Sequence, residues 1–401
     1  MAKYIIIGNG IAANTAAENI RAIDKTGELI IFTKEKAPFY YTPALPEYLA
    51  SEKTLAGITL HTEQWYKERA IELHLDTEVA AIDAKAKTVT TKAGVSFSYD
   101  RLLLATGGYS FIPPIPGSNS PGVFGLRTSA DAEAIKSRAA TAKELVLIGG
   151  GLLGLEAGNG LRKAGLEVSV VEFFPRLLPR QMDVPGAAIL QKEMEKMGFS
   201  FYLGAKTKDI TREGDKLFVN LEGGEKLPAD LVLVSAGVRP EVALAKSIGL
   251  EIDKGVKVDD SMKTGIDGIY AAGDLIEHRG MFYGIWPASM EQGRVAGTVM
   301  AGGSAQYNGT VMSNTLKVVG INLTAGGDID ADAKLESIIV KNTAQAVYRK
   351  FIIKDNILVG TILFGDNHGS DEVLAAIKNK KDVSALKADL AKLDFDCTRL
   401  K

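Results

Sequence analysis

The sequence predicts an α/β protein in which one strand–helix–strand unit is built twice and a smaller α+β domain follows. Short runs rich in β-branched residues alternate with helical stretches through the first three quarters of the chain, which is typical of a parallel sheet covered by helices. A glycine-rich turn recurs at the same place within each unit. Because 401 residues exceed what a single hydrophobic core usually supports, we expect two or three domains.

The first unit consists of the strand KYIII, a helix over residues 11–22 and the strand ELIIF. Between strand and helix, Gly8, Gly10 and Ala13 have the spacing GxGxxA, which allows a tight turn and a close approach to the backbone. Since a helix amino terminus carries unpaired N–H groups and partial positive charge, this turn predicts a phosphate site for a dinucleotide. Glu35, two residues beyond the strand tip, is the candidate ribose ligand; the alternative is a solvated charge between two lysines.

The second unit consists of the strand ELVLI, a helix over residues 152–164 and the strand EVSVV. Gly149, Gly151 and Gly154 form a full GxGxxG in the same structural context. Glu172 ends the following strand, where a carboxylate accepts hydrogen bonds from a free ribose diol and repels a 2′-phosphate. This unit therefore predicts a site for NADH, with NADPH less favoured.

Two features of the second unit keep alternatives open. Arg176 and Arg180 follow Glu172 closely and could weaken the preference for NADH by pairing with a phosphate. Glu156 lies in the first turn of the second helix, where it either complements the helix dipole or contacts the nicotinamide.

Composition and charge exclude several classes of function. The formal net charge is -2 and charges of both signs are interspersed, which favours neither a nucleic-acid surface nor a strongly acidic partner. The longest apolar runs are far shorter than the roughly 20 residues of a membrane span, and no targeting segment precedes the first strand, so we expect a cytoplasmic protein. The four histidines show no metal-ligand spacing, and no metal site is expected.

The single cysteine, Cys397, lies near the carboxyl terminus. An intrachain disulfide or a Cys-X-X-Cys redox pair is therefore impossible. We expect Cys397 to be a free thiol in a flexible tail.

Four motifs occur in an order that resembles one family: the two glycine loops, LLLATGGYSFIPPIPG and IYAAGD. The arrangement is similar to the FAD-dependent pyridine-nucleotide disulfide oxidoreductase superfamily over nearly the whole chain. Within it, YYTPALPEYLASE, WPASMEQGRVAG and the lack of paired cysteines most resemble NADH:rubredoxin oxidoreductases and their nitrite-reductase and ferredoxin-reductase relatives. The resemblance implies a glutathione-reductase-like fold with two Rossmann-like dinucleotide-binding domains and a C-terminal α+β interface domain.

The resemblance also implies the domain organisation. An FAD-binding domain would comprise residues 1–107 and 236–308, and an NAD(H)-binding domain residues 108–235. The Pro- and Gly-rich segment over residues 106–122 fits a crossover between them. The interface domain would comprise residues 309–401, where SIIVKN, QAVYRKFIIK and NILVGTILFG predict antiparallel strands followed by a helix.

By the same resemblance, Asp274 would bind the ribityl and pyrophosphate region of FAD, where the residues alone would indicate a helix cap equally well. Thr106 and Gly107 would pass near FAD, and Gln292 would also belong to the FAD site. Trp286 would line the flavin edge, although a large aromatic side chain is more often part of a core. Glu156 would lie close to the nicotinamide.

Many members of the superfamily pass electrons to cysteine, and relatives with one cysteine carry it in a segment resembling S-P-C-A-L-P. This chain reads YTPALPEY at residues 41–48, without the cysteine. The lysine of an L-S-K segment, often present in ferredoxin-reductase members, is also replaced, since the chain has Leu45, Pro46 and Glu47. We therefore expect reduced flavin to pass electrons directly to a small redox protein such as rubredoxin.

Three alternatives about acceptor and assembly stay open at this point. The chain could be an NADH oxidase that uses oxygen, or a flavoprotein subunit of a larger electron-transfer complex. A homodimer is also possible.

The lysines of KNKK and those that follow could attract an acidic carrier protein, but a solvated helix face is the more ordinary interpretation.

Overall fold

The computed structural model describes the whole chain except the side chains of residues 314–318. The first strand–helix–strand unit is confirmed, since the first two strands pair in parallel with Ile5 opposite Ile30. The elements of this part of the chain are β1 (Lys3–Ile7), α1 (Ile11–Ile23), β2 (Glu28–Phe32), α2 (Leu45–Leu49), α3 (Leu55–Ile58), α4 (Glu63–Glu68), β3 (Glu72–His74), β4 (Val79–Asp83), β5 (Thr88–Thr91), β6 (Ser96–Ser98) and β7 (Arg101–Leu104).

The second unit is confirmed as well, with Val146 opposite Ser169 in a parallel pair. A full parallel sheet forms around it in the strand order β12-β11-β10-β16-β9. Its elements are β8 (Gly108–Ser110), β9 (Val123–Phe124), α5 (Ser129–Ala139), β10 (Glu144–Ile148), α6 (Leu152–Lys163), β11 (Glu167–Glu172), α7 (Val184–Lys196), β12 (Phe199–Leu203), β13 (Thr207–Glu213), β14 (Lys216–Leu221), β15 (Lys226–Ala229) and β16 (Leu231–Val234).

The chain then returns to the first sheet, because a later strand pairs in parallel with β7. The elements are β17 (Val238–Pro240), α8 (Ala243–Ser247), β18 (Val256–Val258), β19 (Ile269–Ala271), β20 (Ile276–His278) and α9 (Trp286–Met300). The first sheet therefore has the order β19-β7-β1-β2-β3. Residues 108–110 of the Pro- and Gly-rich segment, expected to be a crossover, form a short antiparallel pair with residues 238–240 of the returning chain, β8 with β17.

Helix α9 lies directly on α1, and glycine makes this contact possible. A Cβ atom added at Gly293 would lie 2.3 Å from the Ala12 carbonyl oxygen, and one added at Gly297 would lie 2.3 Å from that of Ala16. Since the two glycines are four residues apart, they share one face of α9. The packing places the amino terminus of α9 beside that of α1.

The last part of the chain forms an antiparallel sheet with the strand order β21-β22-β25-β24-β23, which we call the C-terminal sheet. The predicted antiparallel strands and the following helix are confirmed. The elements are β21 (Ser313–Val318), β22 (Ile321–Gly327), β23 (Glu336–Asn342), β24 (Val347–Lys354), β25 (Ile357–Gly365), α10 (Ser370–Lys378) and α11 (Lys387–Leu390). The domain boundaries at residues 107, 235 and 308 stay a prediction.

The expectation of a flexible tail around Cys397 is wrong. Residues Cys397–Leu400 form a 3-10 turn, and Cys397 is 1% exposed in a cluster with Val373 and Phe395. The apolar side chains of the last residues cover α10, which the local charge pattern does not indicate. Burial raises the pKa of the Cys397 thiol.

Within the described part of the chain, none of the helices has the length and apolar character needed to cross a membrane. The same part contains no group of three or more His, Cys, Asp or Glu side chains arranged to hold a metal ion.

Candidate functional site

The first glycine loop has the geometry of a phosphate cradle. Gly8 has a φ of +112°, and a Cβ there would lie 2.1 Å from the carbonyl oxygen of Ala105. Gly10 is the N-cap of α1, and a Cβ there would meet none of the described atoms within 4 Å. Ala13 is fully buried where α1 meets the sheet. The loop therefore packs tightly on the protein side and presents helix N–H groups to open space.

Two asparagines support this loop, and the sequence analysis did not single them out. Tyr66 Oη lies 2.7 Å from Asn14 Oδ1 and 3.0 Å from Asn9 Oδ1, so its single proton can be donated to either oxygen. Asn14 Nδ2 in turn donates to the Asn9 carbonyl oxygen at 3.0 Å. Asn9 Nδ2 is buried without a hydrogen-bond partner among the described atoms. Because an unpaired buried amide is costly, this group is suited to donate to a bound ligand oxygen.

Asp274 lies at the same edge, just beyond β19. Arg127 donates to Asp274 Oδ2 at 2.7 Å and to the Gly108 carbonyl oxygen at 3.1 Å. Ser289, in the first turn of α9, donates to Asp274 Oδ1 at 3.1 Å. The Arg127 guanidinium therefore balances the charge of Asp274. The sequence did not indicate this pair, because the two residues are 147 positions apart. The one local signal for Arg127 was its place directly before Thr128, the N-cap of α5.

The other predicted residues of this region hold the backbone around Asp274. Gln292 is 1% exposed and accepts a hydrogen bond from Gly273 N at 2.9 Å. Thr106 Oγ1 donates to the carbonyl oxygen of Glu241 at 2.8 Å, and Gly107 has a φ of +66°. These contacts shape the loops after β7 and β19. Whether Thr106, Gly107 and Gln292 also touch a cofactor stays a prediction.

Glu35 is half-buried and already has a partner within the chain. Tyr40 Oη donates to Glu35 Oε2 at 2.5 Å, and the same hydroxyl accepts from Ser129 N at 2.9 Å. Burial raises the pKa of Glu35 above its usual range. Its second oxygen stays available, so a ribose contact is a prediction that the geometry allows.

The second glycine loop repeats the geometry of the first. Gly149 has a φ of +111°, and its added Cβ would lie 2.3 Å from the Ser235 carbonyl oxygen. Gly154 approaches the same residue, because its added Cβ would lie 2.8 Å from Ser235 Cβ. Gly151 is the N-cap of α6. These residues line a cleft of about 530 Å³, a size that suits a nucleotide.

Glu172 lies on the floor of this cleft and is 6% exposed. Its Oε2 accepts from Gly150 N at 2.5 Å and its Oε1 from Phe174 N at 2.8 Å. A carboxylate has about four acceptor sites, so further bonds to a ribose remain possible. Arg176 donates to the Pro179 and Met182 carbonyl oxygens, each at 3.1 Å, whereas Arg180 lines the cleft.

Glu156 has a contact that the sequence does not indicate. Its Oε1 accepts a hydrogen bond from Val319 N at 2.5 Å, in the turn between β21 and β22. Burial raises the pKa of Glu156, and the nearby Glu47 and Glu52 raise it further, while Lys163 lowers it. The carboxyl group thus links α6 to the C-terminal sheet. Contact with a nicotinamide stays a prediction.

Trp286 is the first residue of α9 and belongs to an aromatic cluster. Its ring stacks on Phe39 with centroids 5.9 Å apart and meets the edge of Tyr41 at 4.7 Å. Phe39 contacts His61, which stacks on Trp65 with centroids 3.6 Å apart. A role at a flavin edge stays a prediction.

The segment that lacks the cysteine forms α2 and packs on α6. A Cβ added at Gly160 would lie 2.8 Å from the Pro46 carbonyl oxygen. Glu47 forms an ion pair with Lys53. The lone thiol of Cys397 lies in the cluster beneath the C-terminal sheet instead.

Some of the basic residues near the carboxyl terminus are paired. Lys387 lies 2.8 Å from a Glu336 carboxylate oxygen, and Asp389 pairs with both Lys392 at 2.6 Å and Arg399 at 3.0 Å. Within the described part of the chain, Lys378 and Lys380 of KNKK take part in none of the ion pairs. Both the solvated face and the carrier-binding patch stay predictions.

Family models match nearly the whole chain. The model described as pyridine nucleotide-disulphide oxidoreductase matches residues 2–305, and the one described as rubredoxin NAD+ reductase C-terminal domain matches residues 313–381. The resemblance drawn from the sequence motifs is confirmed by these matches. Members of the first family normally bind FAD and NAD(P)H.

Two curated proteins are similar over nearly all of this chain. A nitrite reductase [NAD(P)H] of Bacillus subtilis is 35% identical over 95% of the chain, which corresponds to 48% of that protein. An NADH oxidase of Methanocaldococcus jannaschii is 34% identical over 98% of the chain and 94% of that protein. The chain therefore spans about half the length of the first of these relatives and nearly all of the second.

Solved structures confirm the predicted fold. A ferredoxin reductase from Rhodopseudomonas palustris is 26% identical with a TM-score of 0.90, over 100% of this chain and 99% of that one. The NADH:rubredoxin oxidoreductase from Clostridium acetobutylicum is 27% identical with a TM-score of 0.82, over 96% of both chains.

Proposed function

Because the chain belongs to the pyridine nucleotide-disulphide oxidoreductase family, we propose that it is an NADH-dependent flavoprotein oxidoreductase that supplies electrons to a small redox protein such as rubredoxin. The observation that carries the proposal is the pair of glycine cradles, each at a helix amino terminus that follows a parallel strand. The first cradle would hold FAD and the second NADH.

The residues of the first cradle fit FAD. Asn9 Nδ2 is buried and available as a donor, and Gly10 leaves room for a phosphate beside the helix amino terminus. Arg127 and Asp274 would hold the pyrophosphate and ribityl region. Bound FAD supplies the conversion between hydride chemistry, which moves electrons in pairs, and one-electron acceptors.

The second cradle supports NADH over NADPH. The Glu172 carboxylate lies at the strand end that faces the adenosine ribose in this type of fold. A 2′-phosphate would be placed next to that carboxylate at a cost in electrostatic repulsion. Arg180 at the rim is the residue that would reduce this cost.

The direct transfer of electrons to an external acceptor is supported by the cysteine content. The only thiol of the chain is buried in the cluster of residues behind the C-terminal sheet. A thiol relay at the α2 segment is thus absent from the proposed mechanism. The match of residues 313–381 to a rubredoxin reductase domain favours a rubredoxin-like acceptor.

Two alternatives to this function are each supported by a specific similarity. Similarity to an NADH oxidase over 94% of that protein favours oxygen as an alternative. Similarity to half of a nitrite reductase favours a role as the electron-input part of a larger assembly. A homodimer stays a prediction.

The experiment is an anaerobic titration of the FAD-loaded protein. We expect NADH to bleach the flavin absorbance faster than NADPH, and oxidised rubredoxin to restore the absorbance faster than air. Faster reoxidation by air would favour the oxidase. Bleaching by NADH with no reoxidation by any free acceptor would favour the subunit of a complex. A flavin that NADH does not bleach would refute the proposal.

A further inference from the structure

A buried polar cluster joins the second glycine unit to the C-terminal sheet. Asp183, the N-cap of α7, is 5% exposed, and its Oδ1 accepts a hydrogen bond from Gly186 N at 3.1 Å. Tyr348 Oη donates to Asp183 Oδ2 at 2.6 Å, and Lys350 Nζ lies 3.2 Å from the same oxygen. Since Tyr348 and Lys350 are both on β24, one carboxylate connects two parts of the molecule.

The cluster is fully engaged and closely packed. Lys350 is 2% exposed and also donates to the Ile329 and Asp330 carbonyl oxygens, each at 3.0 Å. A Cβ added at Gly186 would lie 3.1 Å from Tyr348 Cδ1. Removing one member of such a buried ionic group leaves a buried charge without its partner, which is strongly destabilising. The contact between α7 and β24 is therefore costly to break.

Asp183 also ends the segment that shapes the nucleotide cleft. Residues 173–182 run from the end of β11 to this N-cap, and Leu178, with a φ of +48°, donates its N–H to the Gly150 carbonyl oxygen at 3.0 Å. The Arg176 guanidinium ties the segment together through its two bonds to carbonyl oxygens. The residues of this segment that line the cleft are Phe173, Phe174, Pro179, Arg180 and Gln181.

The segment is therefore held at two points. Leu178 fixes its middle to the second glycine loop, and Asp183 fixes its carboxyl end to the C-terminal sheet. Phe173 and Phe174 are 63% and 48% exposed, so their rings depend on the segment's backbone for their position. A change at β24 would be transmitted to the cleft through Asp183.

We propose that Tyr348 and Lys350 are positioning residues for the nicotinamide nucleotide. Through Asp183 they hold residues 173–182 in the conformation that forms one wall of the cleft. The proposal rests on the proposed function in one respect, namely that the cleft binds this nucleotide. Loosening the contact should weaken nucleotide binding and leave the FAD cradle unchanged.

The test uses Tyr348→Phe in the FAD-loaded full chain, because this change removes one hydroxyl and keeps the ring. We expect the calorimetric Kd for NAD+ and the KM for NADH to rise about three- to tenfold, as loss of one charge-assisted hydrogen bond allows. The kcat with ferricyanide and the flavin content should not change. Lys350→Met should act in the same direction and more strongly.

A matched control is available on the same strand. Arg349 has a 7% exposed side chain and binds the Phe395 carbonyl oxygen and Asp366, without contacting Asp183. Arg349→Met therefore removes a buried cation from the C-terminal sheet itself. We expect it to lower the Tm and to leave the Kd for NAD+ unchanged.

Hydrogen exchange provides a readout that is independent of turnover. Amides of residues 173–186 should exchange faster in Tyr348→Phe than in the wild type. In Arg349→Met they should exchange at the wild-type rate. The inference would be refuted if Tyr348→Phe had the same Kd for NAD+ and the same amide exchange over residues 173–186 as the wild type. This holds even if Lys350→Met did not fold. An equal rise of Kd in Arg349→Met would also refute it, because general loosening would then explain the effect.

The inference and the proposed function can fail separately. A wild-type protein that binds NAD+ but whose flavin is not reduced by NADH would refute the proposed function alone, since the Kd comparison would still stand. A wild-type protein that does not bind NAD+ would overturn both.

Discussion

Replacing Glu172 with alanine tests the second cradle most directly. The substitution removes the acceptor of Gly150 N at 2.5 Å and of Phe174 N at 2.8 Å. Each buried donor left unsatisfied costs about 1–3 kcal/mol, so the two together would cost about 2–6 kcal/mol. We expect a loss of about 2–4 kcal/mol because water from the cleft can reach part of the site. Thermal or denaturant unfolding of the FAD-loaded protein would measure this loss.

The same substitution should change the choice of nucleotide. Without Glu172, the ribose of NADH loses a charged acceptor and a 2′-phosphate loses a repulsive neighbour. Each 1.4 kcal/mol of differential binding corresponds to about tenfold, so the NADH-to-NADPH ratio of kcat/KM should fall about tenfold or more. Anaerobic stopped-flow reduction of the flavin by each nucleotide provides the measurement.

Glu172→Gln is the matched control for this prediction. The amide keeps one oxygen acceptor and nearly the same volume, so it should retain part of the stability while losing the negative charge. Glu172→Gln should therefore change the nucleotide preference nearly as much as Glu172→Ala does, while it lowers the free energy of unfolding less. If Glu172→Ala kept both the wild-type unfolding midpoint and the wild-type preference for NADH, the assignment of Glu172 to the ribose would be refuted.

Three further substitutions test the first cradle and its surroundings. Arg127→Met removes the guanidinium that lies 2.7 Å from Asp274, and we expect the purified protein to retain less flavin by absorbance. Gly293→Ala places a Cβ 2.3 Å from the Ala12 carbonyl oxygen, and the overpacking should cost about 1–3 kcal/mol in denaturant unfolding. Burial lowers the pKa of His61 from 6.5 to about 4, so stability is lost as pH falls through this range, and His61→Gln should remove part of that dependence.

Each of these three expectations has a result that contradicts it. Full flavin retention in Arg127→Met would show that Asp274 does not need its partner. A cost in Gly293→Ala no larger than in Gly265→Ala, where an added Cβ meets none of the described atoms within 4 Å, would argue against close helix packing. Parallel stability curves for wild type and His61→Gln between pH 7 and pH 4 would refute the histidine contribution.

The sequence predicted both strand–helix–strand units to within about one residue, and the reason is local. Buried strands and glycine turns depend on φ and on contacts a few residues apart, as Gly8 and Gly149 show with φ values of +112° and +111°. Three of the five strands of the C-terminal sheet, β23, β24 and β25, were also predicted from their local sequence. Local patterns thus determine these elements.

Contacts between distant segments were not predictable in this way. Arg127 and Asp274 are 147 residues apart, and Tyr348 and Asp183 are 165 residues apart. Nothing in the spacing of either pair brings the two residues together. The burial of Cys397 belongs to the same class, because it depends on how the last residues cover α10 rather than on the charges beside the thiol.

The two cradles differ in the hydrogen bonds that hold their acidic residues, Glu35 after β2 and Glu172 at the end of β11. Glu172 is bound by backbone N–H groups of its own unit, so its carboxylate is part of the cleft floor. Glu35 instead accepts from Tyr40, whose hydroxyl is bound to Ser129 at the start of α5. The first acid therefore depends on packing between the two units, whereas the second does not.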